Sequence, residues 1–481
     1  MDPYFIGLDL GTSSTKVVAF DQRGNTLLSS GVSYPTFYPG AHQSVQKPET
    51  IWQAVKSAVR RVLETVGRSY ELAGVGMSSA MHTLLPIDNK GRPLTDMMIW
   101  SDNRADHIVS QYLQHNGDTF YQQSGVPLHP MTPFAKLLWA KQHQPTWWRE
   151  ADLFVGIKEW IWYKLTGVFE TDYSVGGATG MFNLATHQWS CDALKAIDLD
   201  IKRLPAMVDT LTVRECVTDE LFPKGTPLVI GASDGCLATL GSGAVYPDTM
   251  AVTVGTSAAA RALRETPLTD PSGRTFCYYV APQKYVLGGG SNNGGIVAEW
   301  FVKNFADNNF GTFYEWLQNA HPGADGLLFI PYLQGERAPV WNAGATGVFH
   351  GMTMHHTRTH FARAVMEGIL LNVRYIAESV TALGNQPIEQ VKVGGGLATS
   401  PVVMQLLSDV LGAHVHITQT NEHSAWGATM LAMWALGFAD SFEHLPEHPP
   451  MVIFAPQQTS TDFYATQLGR FKQLYEQTKV L

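Results

Sequence analysis

The 481-residue chain is short of the features that define several broad classes. It has four cysteines, Cys191, Cys216, Cys236 and Cys277, widely spaced and without a CxxC pair. That usage argues against a disulfide scaffold or a zinc site and predicts four structural thiols in a reducing compartment. No positive segment followed by an apolar run opens the sequence, so a cytoplasmic protein is expected. The longest apolar stretch, Gly427 to Ala439, is too short to span a bilayer and reads as a buried core helix. Basic residues are in deficit: 33 Lys plus Arg stand against 42 Asp plus Glu, a formal net charge of -9. With no global positive field, neither nucleic acid nor a membrane is expected as a partner, and an anionic substrate needs a local basic pocket. GxxxxGK[S/T] and HExxH are both missing, and "GGGSNNGG" from Gly288 to Gly295 does not fit GxGxxG. "HHTRTH" from His355 to His360 reads as a polar loop before a helix.

What is present belongs to a well-buried globular protein, 45% hydrophobic and 16% charged, long enough for two or three domains. "YFIGLDLGTSSTKVVAFDQRGNTLLSSG" predicts three antiparallel strands, and "PETIWQAVKSAVRRVLETV" a helix burying Ile51, Val55, Ala58, Val62 and Val66. About half a chain later "TMAVTVGTSAAARAL" repeats that opening, with Gly255-Thr256-Ser257 matching Gly11-Thr12-Ser13. The period is too long for a solenoid and predicts two related domains, 1–245 and 246–481. Asp9 in the first copy matches Thr253 in the second, so only one copy supplies a carboxylate. Facing turns of this kind offer backbone N–H groups and hydroxyls to a polyphosphate from both sides, with Asp9 beside its metal.

Three further stretches carry candidate chemistry. "GTPLVIGASDG" predicts a buried strand with Asp234 at its carboxyl end, where ligands gather in open α/β sheets. "QVKVGGGLATSPVVMQLLSD" predicts a strand, a glycine turn and a helix from Pro401 to Leu411, an arrangement suited to the adenosine end of a nucleotide. "GVGMSSAMHTLLPID" predicts a strand emptying into a loop with Met81 and His82; on local grounds alone that pair reads as core packing.

Together these stretches resemble the FGGY carbohydrate kinases over nearly the whole chain. "GLDLGTSSTK" and "TVGTS" resemble the family's two phosphate motifs, and "GGGLATSPVVMQLLSD" its adenosine motif. "GVFHGMTMHHTRTHFARAVME" is similar to the C-terminal signature, and "MTPFAKLLWAKQH" to the N-terminal one except at Ala140. The resemblance implies an α/β fold of two actin-like (ribonuclease H-like) domains with the site between them, and ATP and Mg²⁺ as cofactors. A homodimer is the family-based expectation. Within the family, "SSAMHTL", "WSDNRA", "GIKEWIW" and "NNGGI" are similar to the gluconate kinases, which implies a sugar-acid substrate. Xylulose kinases, acting on a ketose, are the alternative, and a nucleotide switch without sugar chemistry is the rival from another class.

Residue by residue, the resemblance makes Asp234 the base that takes the sugar hydroxyl's proton. It places Asp9 at Mg²⁺; Gly11, Thr12, Ser13, Ser14, Lys16, Gly255 and Thr256 at the phosphates; and Gly295, Glu299, Gly395, Gly396 and Ser400 near the adenosine. Met81, His82, Asn103, Arg104, Lys158 and Gly235 fall at the sugar, with His82 carrying partial positive charge and Trp100 a possible wall.

Overall fold

The computed structural model describes residues 1–418, 422–446 and 450–479. Among these, two large sheets organise the chain, and their thirteen strands are numbered β1–β13 in chain order. The first sheet holds β1 (Asp2–Leu10), β2 (Ser14–Asp21), β3 (Thr26–Ser33), β4 (Tyr70–Ser79), β5 (Val213–Glu215) and β6 (Pro227–Ser233), in the order β5-β6-β4-β1-β2-β3. The second holds β7 (Thr249–Val254), β8 (Ala258–Arg264), β9 (Phe276–Ala281), β10 (Lys284–Ser291), β11 (Gln390–Gly394), β12 (His414–Thr418) and β13 (Pro450–Phe454), in the order β9-β10-β8-β7-β11-β12-β13.

The repeat seen in the sequence is a repeat of topology. β1 pairs antiparallel with β2 and parallel with β4; β7 pairs antiparallel with β8 and parallel with β11. Parallel pairing then continues to β6 in one sheet and β12 in the other. This is the two-domain actin-like architecture. The helix α1 (Pro48–Val66) buries all five of its expected apolar positions, with Pro48 tolerated in the first turn where no intrahelical donor is needed.

Two helices join the halves. α2 (Asp234–Gly241) follows β6, and α3 (His423–Ala435) comes from the distant C-terminal half, yet α3 packs on β1 and β4 of the first sheet and against α2. The buried helix expected from Gly427 therefore begins earlier, and it ends before Gly437, whose φ of 78° suits glycine. Its interface is made of missing side chains. Gly7 and Gly76 are register partners on β1 and β4. A Cβ on Gly7 would lie 2.1 Å from the Ala425 carbonyl oxygen, and one on Gly76 2.0 Å from that of Ala428. Around this contact Phe5, Phe20, Leu237, Trp426 and Leu431 form a buried cluster.

The thiols are unpaired, as expected, and Cys216, Cys236 and Cys277 are buried; Cys191 differs, being exposed at the start of a short helix. "HHTRTH" lies in a turn that runs into the helix Arg358–Gly384, and His360 Nε2 sits 3.1 Å from Asp325. Among the described residues no helix is long and apolar enough to cross a membrane.

Gly76→Ala should push α3 off the sheet, because the atom in the way is backbone. The expected loss is about 1–3 kcal/mol of unfolding free energy, read as a lower denaturation midpoint.

Candidate active site

The β1–β2 and β7–β8 turns face one cavity of about 390 Å³, which Thr12 and Ser13 line from one side and Thr256 and Ser257 from the other. Gly11 N–H donates to Ser14 O at 3.1 Å and Gly255 N–H to Ser257 O at 3.0 Å, so the glycine N–H closes each turn, the second being one residue tighter. Two of the segments expected at the nucleotide meet the second turn. Gly295 N–H donates to Gly255 O at 2.6 Å, and Gly395, with φ 101°, is so close that a Cβ would meet the Val254 carbonyl at 2.7 Å. Only glycine fits that approach. Gly396 is exposed beside it, Ser400 is buried ahead of the helix Pro401–Leu411, and Glu299 is exposed on the helix Gly295–Phe305. Lys16 Nζ points to Glu422, 2.9 Å away, an ion pair between the chain's two halves.

Asp234 opens α2 and lines the cavity. Gly231, with φ 66°, sits where the β4–β6 register slips between Val229 and Ala232. Irregularities of this kind re-aim side chains next to active sites. Gly235 N–H donates to Asp234 Oδ1 at 2.7 Å. Burial nevertheless pushes the Asp234 carboxyl above its ordinary range, against the opposing pull of the Arg261 guanidinium. Asp9 accepts from Ser78 Oγ at 2.7 Å, and burial, followed by the charge of Asp234, raises it to about 7. A buried carboxylate whose proton affinity a second carboxylate raises is a ligand for a hard cation. No group of three or more His, Cys, Asp or Glu is placed to hold a metal among the described residues. Asp9 fits Mg²⁺, which binds through one or two carboxylates and otherwise keeps water and phosphate oxygens.

Met81 and His82 line the same cavity, with Trp100 as a wall held by a 3.1 Å bond from its Nε1 to Thr12 Oγ1. His82 adopts φ 64° and is buried, its Nδ1 without a hydrogen-bond partner. Burial and the nearby Lys136 and Arg337 charges hold its pKa far below the usual imidazole range, so the ring is neutral. The partial charge expected for it is corrected: burial and two neighbouring cations disfavour a proton on the ring. The loop is pinned from below by Lys136, a fully buried residue whose Nζ donates to His82 O at 2.6 Å and Ile99 O at 2.8 Å.

Three expected sugar contacts lie elsewhere. Lys158 is fully buried and binds Asp172 Oδ2 at 2.7 Å and Ala232 O at 3.0 Å, beneath the strand that carries Asp234. Arg104 makes a two-pronged pair with Asp102, 2.7 Å on each arm, and lies over Trp139. Asn103 donates its backbone N–H to His42 O and does not line the cavity. Buried carboxylates took the Lys158 and Arg104 side chains, because an unpaired buried charge costs more than a pair. Gly235 stays at the cavity margin, its Cα covered by Arg261. The sequence reading missed Arg261 and Arg337, which line the cavity from the second half, and Lys136. Their only signals were Lys136 inside "MTPFAKLLWAKQH" and an arginine four residues after the second turn's Ser257. A larger cavity of about 530 Å³ beside Met250 and Val391 has no comparable chemistry, since Arg374 and Lys472 at its rim both pair with Glu378.

With this geometry in view, comparison with known proteins is decisive for the family. The N-terminal domain of the FGGY family of carbohydrate kinases matches residues 4–241, and its C-terminal domain matches residues 250–436. The chain belongs to the FGGY carbohydrate kinases. A gluconokinase of Bacillus subtilis is 37% identical over 92% of this chain and 90% of its own. Two solved structures from Lactobacillus acidophilus, each 31% identical with 98% of both chains covered, superpose at TM-scores of 0.94 for a xylulose kinase and 0.92 for a gluconate kinase.

Lys158→Met should leave Asp172 as an unpaired buried carboxylate and remove about 3–5 kcal/mol of stability, measured by denaturant unfolding. The sugar KM of the folded enzyme should stay near the wild-type value, because Lys158 does not reach the cavity.

Proposed function

We propose that this carbohydrate kinase transfers the γ-phosphate of ATP to the terminal hydroxyl of an open-chain sugar acid, D-gluconate, giving 6-phosphogluconate. The observation that carries the transfer is Asp234, a buried carboxylate at a helix start, opening on a cavity bounded by two phosphate-type turns. Phosphoryl transfer needs alignment, charge neutralisation and a destination for one proton. In this reading the substrate hydroxyl lies against Asp234, which takes its proton as the oxygen attacks the γ-phosphorus in line. The turns at Thr12 and Thr256 hold the phosphates from opposite sides with N–H groups and hydroxyls. Asp9 would hold Mg²⁺ together with phosphate oxygens, which would supply charge neutralisation at the β- and γ-phosphates. Gly295, Gly395, Gly396 and Ser400 receive the adenosine end. Trp100 walls the carbon chain, while neutral His82 accepts or donates to sugar hydroxyls.

The gluconate reading draws support from the 37% identity to the Bacillus subtilis gluconokinase and from Ala80 and Thr83 flanking the Met-His pair. A xylulose substrate is the second reading, favoured by the 0.94 superposition on a xylulose kinase. ADP release with ATP, Mg²⁺ and a panel of gluconate, xylulose, ribulose and glycerol decides between them. Turnover is expected on gluconate; turnover on xylulose alone would replace the substrate and keep the kinase.

Asp234→Ala should lower kcat by about 10²–10⁴-fold while nucleotide binding, followed by calorimetry, survives. Since burial raises the Asp234 pKa and the base must be ionised, kcat/KM should fall on acidification at a pH above the ordinary aspartate value of about 3.9. An acid limb at or below that value would remove Asp234 from the role.

A further inference from the structure

We infer that Arg261 and Arg337 form a clamp for the substrate's carboxylate, an assignment that rests on the sugar-acid reading above and names the residues that read the acid. Arg261 extends from β8 opposite Gly288 of β10. A Cβ on Gly288 would lie 3.0 Å from Arg261 Cγ, and one on Gly290 would lie 3.2 Å from Arg337 Nη2. Gly288 and Gly290 share one face of the strand, since side chains alternate along it. The "GGGSNNGG" run, which fits no dinucleotide pattern, is thus a floor without side chains on which two guanidinium groups rest.

Neither guanidinium has an acid to itself. Both Nε atoms are buried without a hydrogen-bond partner, and among the described residues neither arginine lies within ion-pair distance of a carboxylate. Arg337 Nη2 donates only to Ser291 O, at 3.3 Å. Its neighbour Glu336 is already occupied, accepting from Ser291 Oγ, Asn293 Nδ2, Asn372 Nδ2 and the backbone N–H groups of Asn292 and Arg337. Those bonds hold the Arg337 backbone in place without cancelling its charge. The other polar groups at this end, His82 and Tyr278, are neutral: burial holds the imidazole unprotonated and the phenol protonated. Burial lowers the pKa of both arginines, opposed by the Asp234 charge at Arg261 and by the Glu336 charge at Arg337, where the Arg261 charge lowers it further.

Two like charges placed together out of water are unfavourable unless an anion joins them. The cavity already has an anionic reaction end at Asp234. Arg337, its guanidinium 5.2 Å from the Trp100 ring centre, lies beyond the wall that faces the carbon chain. A planar fork matches a carboxylate with two parallel N–H···O bonds. The ligand class is therefore an open-chain aldonate, whose carboxylate the two arginines take, in preference to a neutral ketose or polyol.

The test compares D-gluconate with D-glucitol, the same carbon chain without the carboxylate. Binding is followed by the fluorescence of Trp100 and Trp341, which both line the cavity. Arg261→Met and Arg337→Met should each raise the Kd for gluconate about 100-fold and leave that for glucitol within about threefold. Arg→Lys at each position should restore part of the loss, because charge is kept and the fork is not; these variants also serve if the Met forms do not fold. Unchanged gluconate affinity, or equal loss of both ligands, would overturn the clamp and leave the sugar-acid reading standing. Wild-type protein that binds xylulose and not gluconate would overturn that reading and the clamp with it.

Discussion

The structure depends on the contact of one helix backbone with one sheet backbone. Gly7 and Gly76, side by side on β1 and β4, let the carbonyls of Ala425 and Ala428 approach closer than any side chain permits. The same device recurs between helices, where a Cβ on Gly241 would lie 2.0 Å from His423 O and one on Gly427 2.1 Å from Leu237 O. Dispersion is strongest when nothing separates the packed surfaces. A helix from the C-terminal half is thereby seated on the N-terminal sheet, next to the helix that begins with Asp234. The strands that lead to Asp9 and to the Met81–His82 loop are the two it rests on. Catalytic geometry and the join between the halves consequently share one set of glycines.

That arrangement concentrates charge in a protein whose overall balance is negative. Asp234, Arg261 and Arg337 line the cavity, Arg261 beside Asp234, and the Asp234 charge also acts on buried Asp9. Each carboxyl is raised by desolvation and each guanidinium lowered by it. The low-dielectric setting that makes these groups costly also strengthens their interaction with charged ligands.

Most of the framework was legible because it is written in periodicity and in repeated turns. The two Gly-Thr-Ser turns, the α1 helix, the glycine turn at Gly394–Gly396 and the strand end at Asp234 all require particular residue types locally. The polar contacts were less legible. Lys158 and Arg104 are residues a sugar pocket uses, but Asp172 and Asp102, which do not line the cavity, hold them first. Arg261 was hidden for the opposite reason: it sits in an alanine-rich strand, and its exposure to the cavity depends on glycines of a neighbouring strand. The reach of α3 into the first sheet is likewise a tertiary fact, invisible to a division of the chain at residue 245.

Lys136 brings out one further property of the site. Its ammonium group, buried in the helix Pro133–His143 with its pKa pushed down to about 7, ties the carbonyls of His82 and Ile99 together. His82 is held with φ 64°, a conformation that a non-glycine residue adopts only when its surroundings impose it. The loop's shape is set when the protein folds. In the proposed function, a sugar entering the cleft would meet a loop already ordered around His82, and little of its binding free energy would be lost to ordering it. Preorganisation of this kind leaves more of that free energy for the transition state.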